Sequence, residues 1–251
     1  MTDPAGQGAA RYARHVALPA IGAAGQARIA AGAALVVGLG GLGCPAALYL
    51  ASSGTGRLLL NDFDCVDATN LPRQILFSDA DIGSAKTDAA AARLLALGTG
   101  VTIRALPGRL DEVALTRLAA DADVVLDCTD NFPSRWMINR ACAAARRPLV
   151  TGAVIRFEGQ VAVFRHDLPA SACYRCLYCE DDENLEDCTG QGILAPVAGA
   201  IGALMATEAL KILAGIGDGL AGRLWIHDAL SGTSRTITIP RRAGCPVCGT
   251  R

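Results

Sequence analysis

Neither sign of charge dominates this chain. Its 251 residues carry 23 basic and 24 acidic side chains, so nothing suggests an electrostatic grip on nucleic acid. The N-terminal stretch MTDPAGQGAARYARH has no apolar core and does not read as a secretory signal. No apolar run is long enough to cross a membrane cleanly. The longest, Ile193–Ala206, is interrupted by Pro196 and soon followed by Glu208 and Lys211, which fits a buried helix better. Internal repeats and long linkers are also missing. These absences point to one large α/β domain in the cytoplasm, with no membrane and no nucleic acid as partner. Without an export signal, the ten cysteines read as thiols and metal ligands rather than a disulfide scaffold.

What the chain does have is AALVVGLGGLGCPAAL, Ala33–Leu48: a buried apolar strand, a glycine turn and a helix start. Gly38, Gly40 and Gly43 keep the G-x-G-x-x-G spacing, with Gly41 as a fourth glycine inside the turn. Such a turn lets a phosphate approach the main chain, and the helix N-terminus behind it favours an anion. Further strands are expected at Leu58–Asn61, Val101–Ala105, Val124–Leu126 and Pro148–Thr151, with a helix over Ser84–Leu97. This alternation predicts a Rossmann-like, doubly wound and mainly parallel sheet. After Gly152 the pattern changes to a hairpin of Val154–Phe157 and Gln160–Phe164 around Glu158-Gly159. A cysteine-rich acidic segment, a long apolar helix and two strands near Leu224 and Ile237 follow. The reading is a single domain over 1–251: a helical arm (1–30), a nucleotide-binding part (31–152) and a zinc-bearing part (153–251).

The glycine turn with Asp62, placed to hold a ribose, fits an NAD-dependent oxidoreductase as well as an ATP enzyme. Other strand ends favour ATP, whose phosphates carry about four charges and need added cations. Asn70-Leu71-Pro72-Arg73-Gln74 follows the second strand, Lys86 opens the next helix, and Asp130 lies just past the fourth strand, suited to magnesium as a hard oxygen ligand. Taken singly, Arg73 and Lys86 read as surface charges and Asp130 as a helix cap; their joint placement around one phosphate turn is the signal.

The cysteines fall into groups. Cys173-Tyr-Arg-Cys176 and Cys245-Pro-Val-Cys248 are two knuckles that together supply the four thiolates of a closed, structural zinc site. Cys179 forms a competing C-x-x-C with Cys176. Cys44, Cys65, Cys128 and Cys142 read as small buried hydrophobes. Cys188 follows the acidic loop Glu180–Asp187, whose charges would raise its thiol pKa.

GLGGLG, NLPRQ with Arg73, Lys86 and DCTDN together resemble the ThiF/MoeB/HesA family of adenylyltransferases, relatives of the ubiquitin-activating enzymes. The resemblance runs from Arg11-Tyr12-Ala13-Arg14 to the closing GCPVCG. It implies that ATP adenylates the C-terminal glycine carboxylate of a small ubiquitin-like sulfur carrier ending in Gly-Gly, releasing pyrophosphate, before thiocarboxylate formation. It further implies a nucleotide-binding set of Gly38, Gly40, Gly41, Gly43, Asp62, Thr69, Asn70, Leu71, Pro72, Arg73, Gln74, Lys86, Asp130 and Asn131. Within it, Asp62 would take the ribose, Asn70, Arg73 and Lys86 the phosphates, and Asp130 the magnesium ion. Arg14 matches a position that reaches the neighbouring subunit's γ-phosphate, which implies a homodimer. The family pattern assigns zinc to Cys173, Cys176, Cys245 and Cys248 rather than Cys179, and makes Cys188 a candidate for covalent attachment to the carrier. The residues after it, Thr189-Gly190-Gln191, lack the basic residue frequent in the thiamine-type enzyme. GLGGLGCPAALYLA, RQILF and GCPVCG lean towards the thiamine type and IRFEGQ towards the molybdenum-cofactor type, so the carrier stays open between them. No rhodanese-like domain is read in the chain, and the expected sulfur source is a separate cysteine desulfurase or sulfurtransferase. A non-catalytic carrier-binding protein and a relative acting on transfer RNA are the remaining alternatives.

Overall fold

Ala33–Val37 forms the central strand, β1, buried along its whole length, as a run without a charged or polar side chain requires. The computed structural model describes residues 10–179 and 192–249. Around β1 lie β2 (Arg57–Asp62), β3 (Thr102–Pro107), β4 (Val124–Asp127) and β5 (Leu149–Ile155), then β6 (Glu158–Phe164), β7 (Arg223–Asp228) and β8 (Thr233–Thr238). They make one 8-stranded sheet in the order β3-β2-β1-β4-β5-β6-β7-β8. The first five strands run parallel and the last three are antiparallel to their neighbours. This is the mixed, Rossmann-like sheet read from the sequence. Strand order reverses between β1 and β4, where Val37 lies opposite both Asn61 and Asp127. In sheets of this kind, a ligand crevice opens at the carboxyl ends of the strands flanking that reversal.

Helices cover both faces. One face packs against Gly43–Ser52, Lys86–Leu95 and Ala195–Ala214, and the other against Glu112–Ala120 and Phe132–Ala145. Ala195–Ala214 has the length and composition of a membrane span. Its spaced apolar residues Val197, Ile201, Met205, Ala209 and Leu213 are nevertheless buried in the core of the first face. The helix ends at Gly215, whose φ of +63° closes it in a left-handed cap. The N-terminal arm supplies the helices Ala13–Val16 and Gly22–Ala31.

Two local readings are corrected. The hairpin is formed by β5 itself and β6, with Ile155 paired to Glu158, so its turn is Arg156-Phe157 and not Glu158-Gly159. Arg156 adopts the left-handed conformation that such a tight reversal needs, with φ of 53°. Gly159 serves packing: a Cβ there would overlap the Ile201 side chain of the covering helix. The second correction concerns Cys65. It is exposed, because the chain has left the sheet at Asp62 and Cys65 joins only a backbone bridge to Ala85. Cys44, Cys128 and Cys142 are buried as read, and burial pushes the Cys44 thiol up to about 12.

The helix Ala195–Ala214 reaches the glycine-turn helix through Gly202, where a Cβ would overlap the Leu42 carbonyl oxygen and lie 2.5 Å from Pro45 Cγ. Gly202→Ala should therefore destabilise the protein by about 1–3 kcal/mol through overpacking. A thermal melt should show this as a drop of several degrees, and an unchanged melting temperature would contradict the packing.

Candidate nucleotide site and cysteine cluster

The turn after β1 is wound as tightly as its glycines permit. Gly38 has φ of +91°, and a Cβ there would lie 2.9 Å from the Cys128 carbonyl oxygen at the end of β4. At Gly43 a Cβ would overlap the carbonyl oxygen of Gly38 itself. Asp62, at the end of β2, braces the turn from beside it. Its Oδ2 accepts from the Leu39 N–H at 2.6 Å and its Oδ1 from the Asp64 N–H at 2.8 Å. The acidic residue read from sequence as a ribose ligand is here a strut of the glycine turn.

A cleft of about 380 Å³ opens over this turn. Its lining divides by sheet face. On the face of the glycine-turn helix stand Asn70, Arg73, Gln74 and Lys86, and on the other face Leu110, Leu115, Met137 and Ile138. The second face also carries Arg109, Asn131, Ser134 and Arg135, so both walls mix polar and apolar groups, as suits a nucleotide with charged phosphates and a flat base. Lys86 is buried, and its Nζ lies 3.1 Å from Asp64 Oδ2. Arg73 donates from Nη1 to the Thr69 carbonyl at 3.1 Å, and its aliphatic stem packs against Gly41, where a Cβ would lie 3.3 Å from Cγ. Gln74 is buried, and its Oε1 has no hydrogen-bond partner among the described residues. An acceptor in that position calls for a donor from a bound ligand or solvent.

Asp130 lies exposed on the cleft wall. The helix Phe132–Ala145 is capped by Asn131, whose side chain accepts from the Ser134 N–H at 3.0 Å, and Asn131 Nδ2 donates to Asp130 Oδ1 at 3.2 Å. The cap is therefore Asn131, and the Asp130 carboxylate faces the cleft. Asp127 is fully buried and accepts from Thr129 N at 3.0 Å, Thr129 Oγ1 at 2.7 Å and Thr151 Oγ1 at 3.2 Å. Burial pushes its carboxyl up, opposed by the positive charge of Arg135 and by the Thr129 hydrogen bonds.

Gly38, Gly40, Gly41, Asp62, Asn70, Arg73, Gln74, Lys86, Asp130 and Asn131 all meet at the cleft. Four others of the sequence-derived set do not line it. Gly43 packs behind the turn, and Thr69 is held by Asp67 through its N–H at 2.8 Å and Oγ1 at 2.6 Å. Leu71 packs on the core and Pro72 is exposed. Arg14 stands exposed on the helix Ala13–Val16, outside the cleft. Cys188 lies outside the described residues. Sequence reasoning missed Arg109, whose guanidinium lies 3.6 Å from the ring centroid of Phe63 at the cleft, and Arg135. Neither carries a motif of its own: Arg109 reaches the cleft through the chain's tertiary path, and Arg135 from the first turn of the helix that follows Asp130.

On the far side of the helix Phe132–Ala145, Cys173, Cys176, Cys245 and Cys248 are buried with their Sγ atoms within 4.8 Å of one another. The closest separations are 3.4, 3.5 and 4.0 Å. They bracket the ~3.8 Å expected between thiolates that share one tetrahedral ion with metal–sulfur bonds of about 2.3 Å. Burial and the charges of Cys176, Cys248 and Cys245 push the Cys173 thiol up, so a thiolate cluster here needs a cation. Cys179 is outside the cluster, its Sγ hydrogen-bonded by Arg242 Nη1.

The model of the ThiF family matches residues 12–247. This chain belongs to the ThiF family. Over 249 residues it is 43% identical to the molybdopterin-synthase adenylyltransferase of Escherichia coli K12, covering 99% of this chain and 100% of that protein. Over 239 residues it is 44% identical to the ThiS adenylyltransferase of the same organism, covering 95% of this chain and 94% of that one. A mouse protein named adenylyltransferase and sulfurtransferase MOCS3 is 45% identical over 242 residues, which are 95% of this chain and 52% of that protein, so this chain spans about half of its length. In fold, the chain is similar to the crystal structure of E. coli MccB with ATP, with a TM-score of 0.82 at 24% identity over 95% of this chain and 74% of that one.

The cluster geometry predicts that the purified protein carries one tetrahedral metal ion. Cys245→Ser should release it and lower thermal stability, because binding is coupled to folding of the segment that brings in Cys245 and Cys248. Metal analysis and a melting curve decide this; a variant that keeps both ion and stability would refute the ligand set.

Proposed function

We propose that this ThiF-family chain is an ATP-dependent adenylyltransferase that activates the C-terminal glycine carboxylate of a small ubiquitin-like sulfur carrier as an acyl-adenylate. The observation that carries the reading is the convergence of Arg73, Lys86 and the cleft-lining Asp130 on one glycine turn at the strand-order reversal. An oxidoreductase would leave these charges without a shared task. The relatives' names support the same class, and they divide between the molybdenum-cofactor and thiamine carriers. Carriers of both types are therefore the substrates to try.

The chemistry asks little covalent work of the protein. A carrier carboxylate oxygen attacks the α-phosphorus, the bond from phosphorus to the α,β-bridging oxygen breaks, and pyrophosphate leaves with the electron pair. Attacking group and phosphates are all anionic, so positioning and charge neutralisation dominate. Arg73 and Lys86 supply positive charge beside the turn, the free amide groups of the glycine loop cradle the phosphates, and Asn70 and Gln74 add polar contacts. Asp130 would hold magnesium, which when bound draws charge from the phosphate oxygens. The four-cysteine cluster suits zinc with all positions filled by protein, hence a structural ion. The family position that Arg14 matches would have each arm serve the neighbouring site in a homodimer; in this chain Arg14 is exposed and outside its own cleft. Conversion of the adenylate to a thiocarboxylate would draw sulfur from a separate cysteine desulfurase or sulfurtransferase, with Cys188 a candidate attachment point for the carrier.

Carrier-dependent exchange of labelled pyrophosphate into ATP tests the reading directly. Asp130→Ala should lower the exchange rate at least about 100-fold, since it removes a ligand of the ion that offsets phosphate charge, and leave the melting temperature unchanged. Near-normal exchange would overturn the role given to Asp130. The composite site predicts complementation. Arg14→Ala and Arg73→Ala homodimers should each be inactive, and verified subunit exchange between them should restore one working site per heterodimer. A mixture that stays inactive would rule out the shared site.

A further inference from the structure

Thr129 immediately precedes Asp130, and its polar atoms are gripped from two sides. Asp127 takes its N–H and hydroxyl, at 3.0 and 2.7 Å. Its carbonyl oxygen accepts two hydrogen bonds from Arg135, from Nε at 3.2 Å and Nη2 at 2.8 Å. Arg135 is only 4% exposed, yet it is part of the cleft wall. A buried carboxyl and a buried guanidinium thus bracket a single residue, and the peptide between Thr129 and Asp130 is the one whose carbonyl Arg135 holds. That peptide is planar and stiff, so fixing its carbonyl fixes the direction in which the chain enters Asp130. The helix that carries Arg135 is itself anchored. Asn131 caps its start, and one turn beyond Arg135 the buried Asn139 Oδ1 accepts from the Tyr174 N–H at 2.9 Å, between the cysteines of the first knuckle.

We propose that Arg135 is a positioning residue for cation binding at Asp130: its guanidinium fork locks the Thr129–Asp130 peptide so that the carboxylate points into the cleft towards the nucleotide's phosphates and their divalent ion. The proposal deepens the adenylyltransferase reading and rests on it for the identity of the ligand. Its physical content is geometric. A lysine would keep a positive charge beside Asp127, but an ammonium group has no planar pair of donors to hold one carbonyl in a fixed plane. Arg135→Lys therefore separates the fork from the charge.

The test measures ATP affinity of the full-length protein with Mg²⁺ and with EDTA. In the unaltered protein Mg²⁺ tightens ATP binding. In Arg135→Lys that Mg²⁺-dependent gain should shrink at least about tenfold, the usual effect of removing a residue that orients a metal ligand, while affinity in EDTA holds; a lower melting temperature, expected from losing two buried hydrogen bonds, does not bear on that ratio. Asp130→Asn should lose the same gain, and combining it with Arg135→Lys should cost nothing further. An undiminished gain in Arg135→Lys, an equal loss in EDTA, or no Mg²⁺ gain in the unaltered protein would each overturn the proposal. Arg135→Ala extends the series if it folds; Arg135→Lys decides without it. Pyrophosphate exchange is run in parallel. Absence of exchange with a normal Mg²⁺ response in ATP binding would count against the adenylyltransferase reading and leave the role of Arg135 standing.

Discussion

The carbonyl oxygen of Gly38 occupies the space where Gly43 would otherwise have its first side-chain carbon. With only hydrogen between them, the chain leaves β1, reverses and enters a helix within a few residues, and the cleft is what remains above that reversal. Other parts of the site take their positions from it. The carboxylate of Asp62 is braced on the Leu39 amide, the Cys128 carbonyl closes over Gly38, and the Arg73 stem packs where Gly41 has no Cβ. A larger residue at any of these contacts would move the floor of the site as well as its walls.

The lining of the cleft is drawn from both faces of the sheet. Segments following β2 bring the cations and amides, because Arg73 lies on the loop after that strand and Lys86 at the start of the helix beyond it. Segments following β3 and β4 bring Leu110, Leu115, Met137 and Ile138, together with Arg109 and Arg135. Asp130 stands at the seam, at the end of β4, where the strand order reverses. A doubly wound sheet sends its connections to opposite faces on either side of such a reversal, so the two walls come from different stretches of the chain.

Much of this was legible from local pattern. The glycine spacing, the apolar strands and the paired cysteine knuckles are short-range signals with a physical reason at each position, and the structure assembles them as expected. Failures came where a residue's role depends on what crosses over it. Glu158-Gly159 reads as a turn until the helix bearing Ile201 is seen to need the space at Gly159. Cys65 resembles the other core cysteines in residue type, yet it follows the point where its strand leaves the sheet. Arg109 and Arg135 have no pattern of their own. They are recognisable only once Phe63 and Thr129 have been brought beside them.

The spacing of the cysteine cluster along the chain sets a timetable. Cys173 and Cys176 leave the ribosome before the helix Ala195–Ala214, β7 and β8, and Cys245 and Cys248 emerge after them. An ion that arrives early meets two thiols, half of a tetrahedron and free to exchange. The closed chamber of four exists only when the antiparallel half of the sheet has been made and its return segment has docked. The four-thiol set is thus completed late in the molecule's synthesis, since Cys245 and Cys248 follow β8 in the chain.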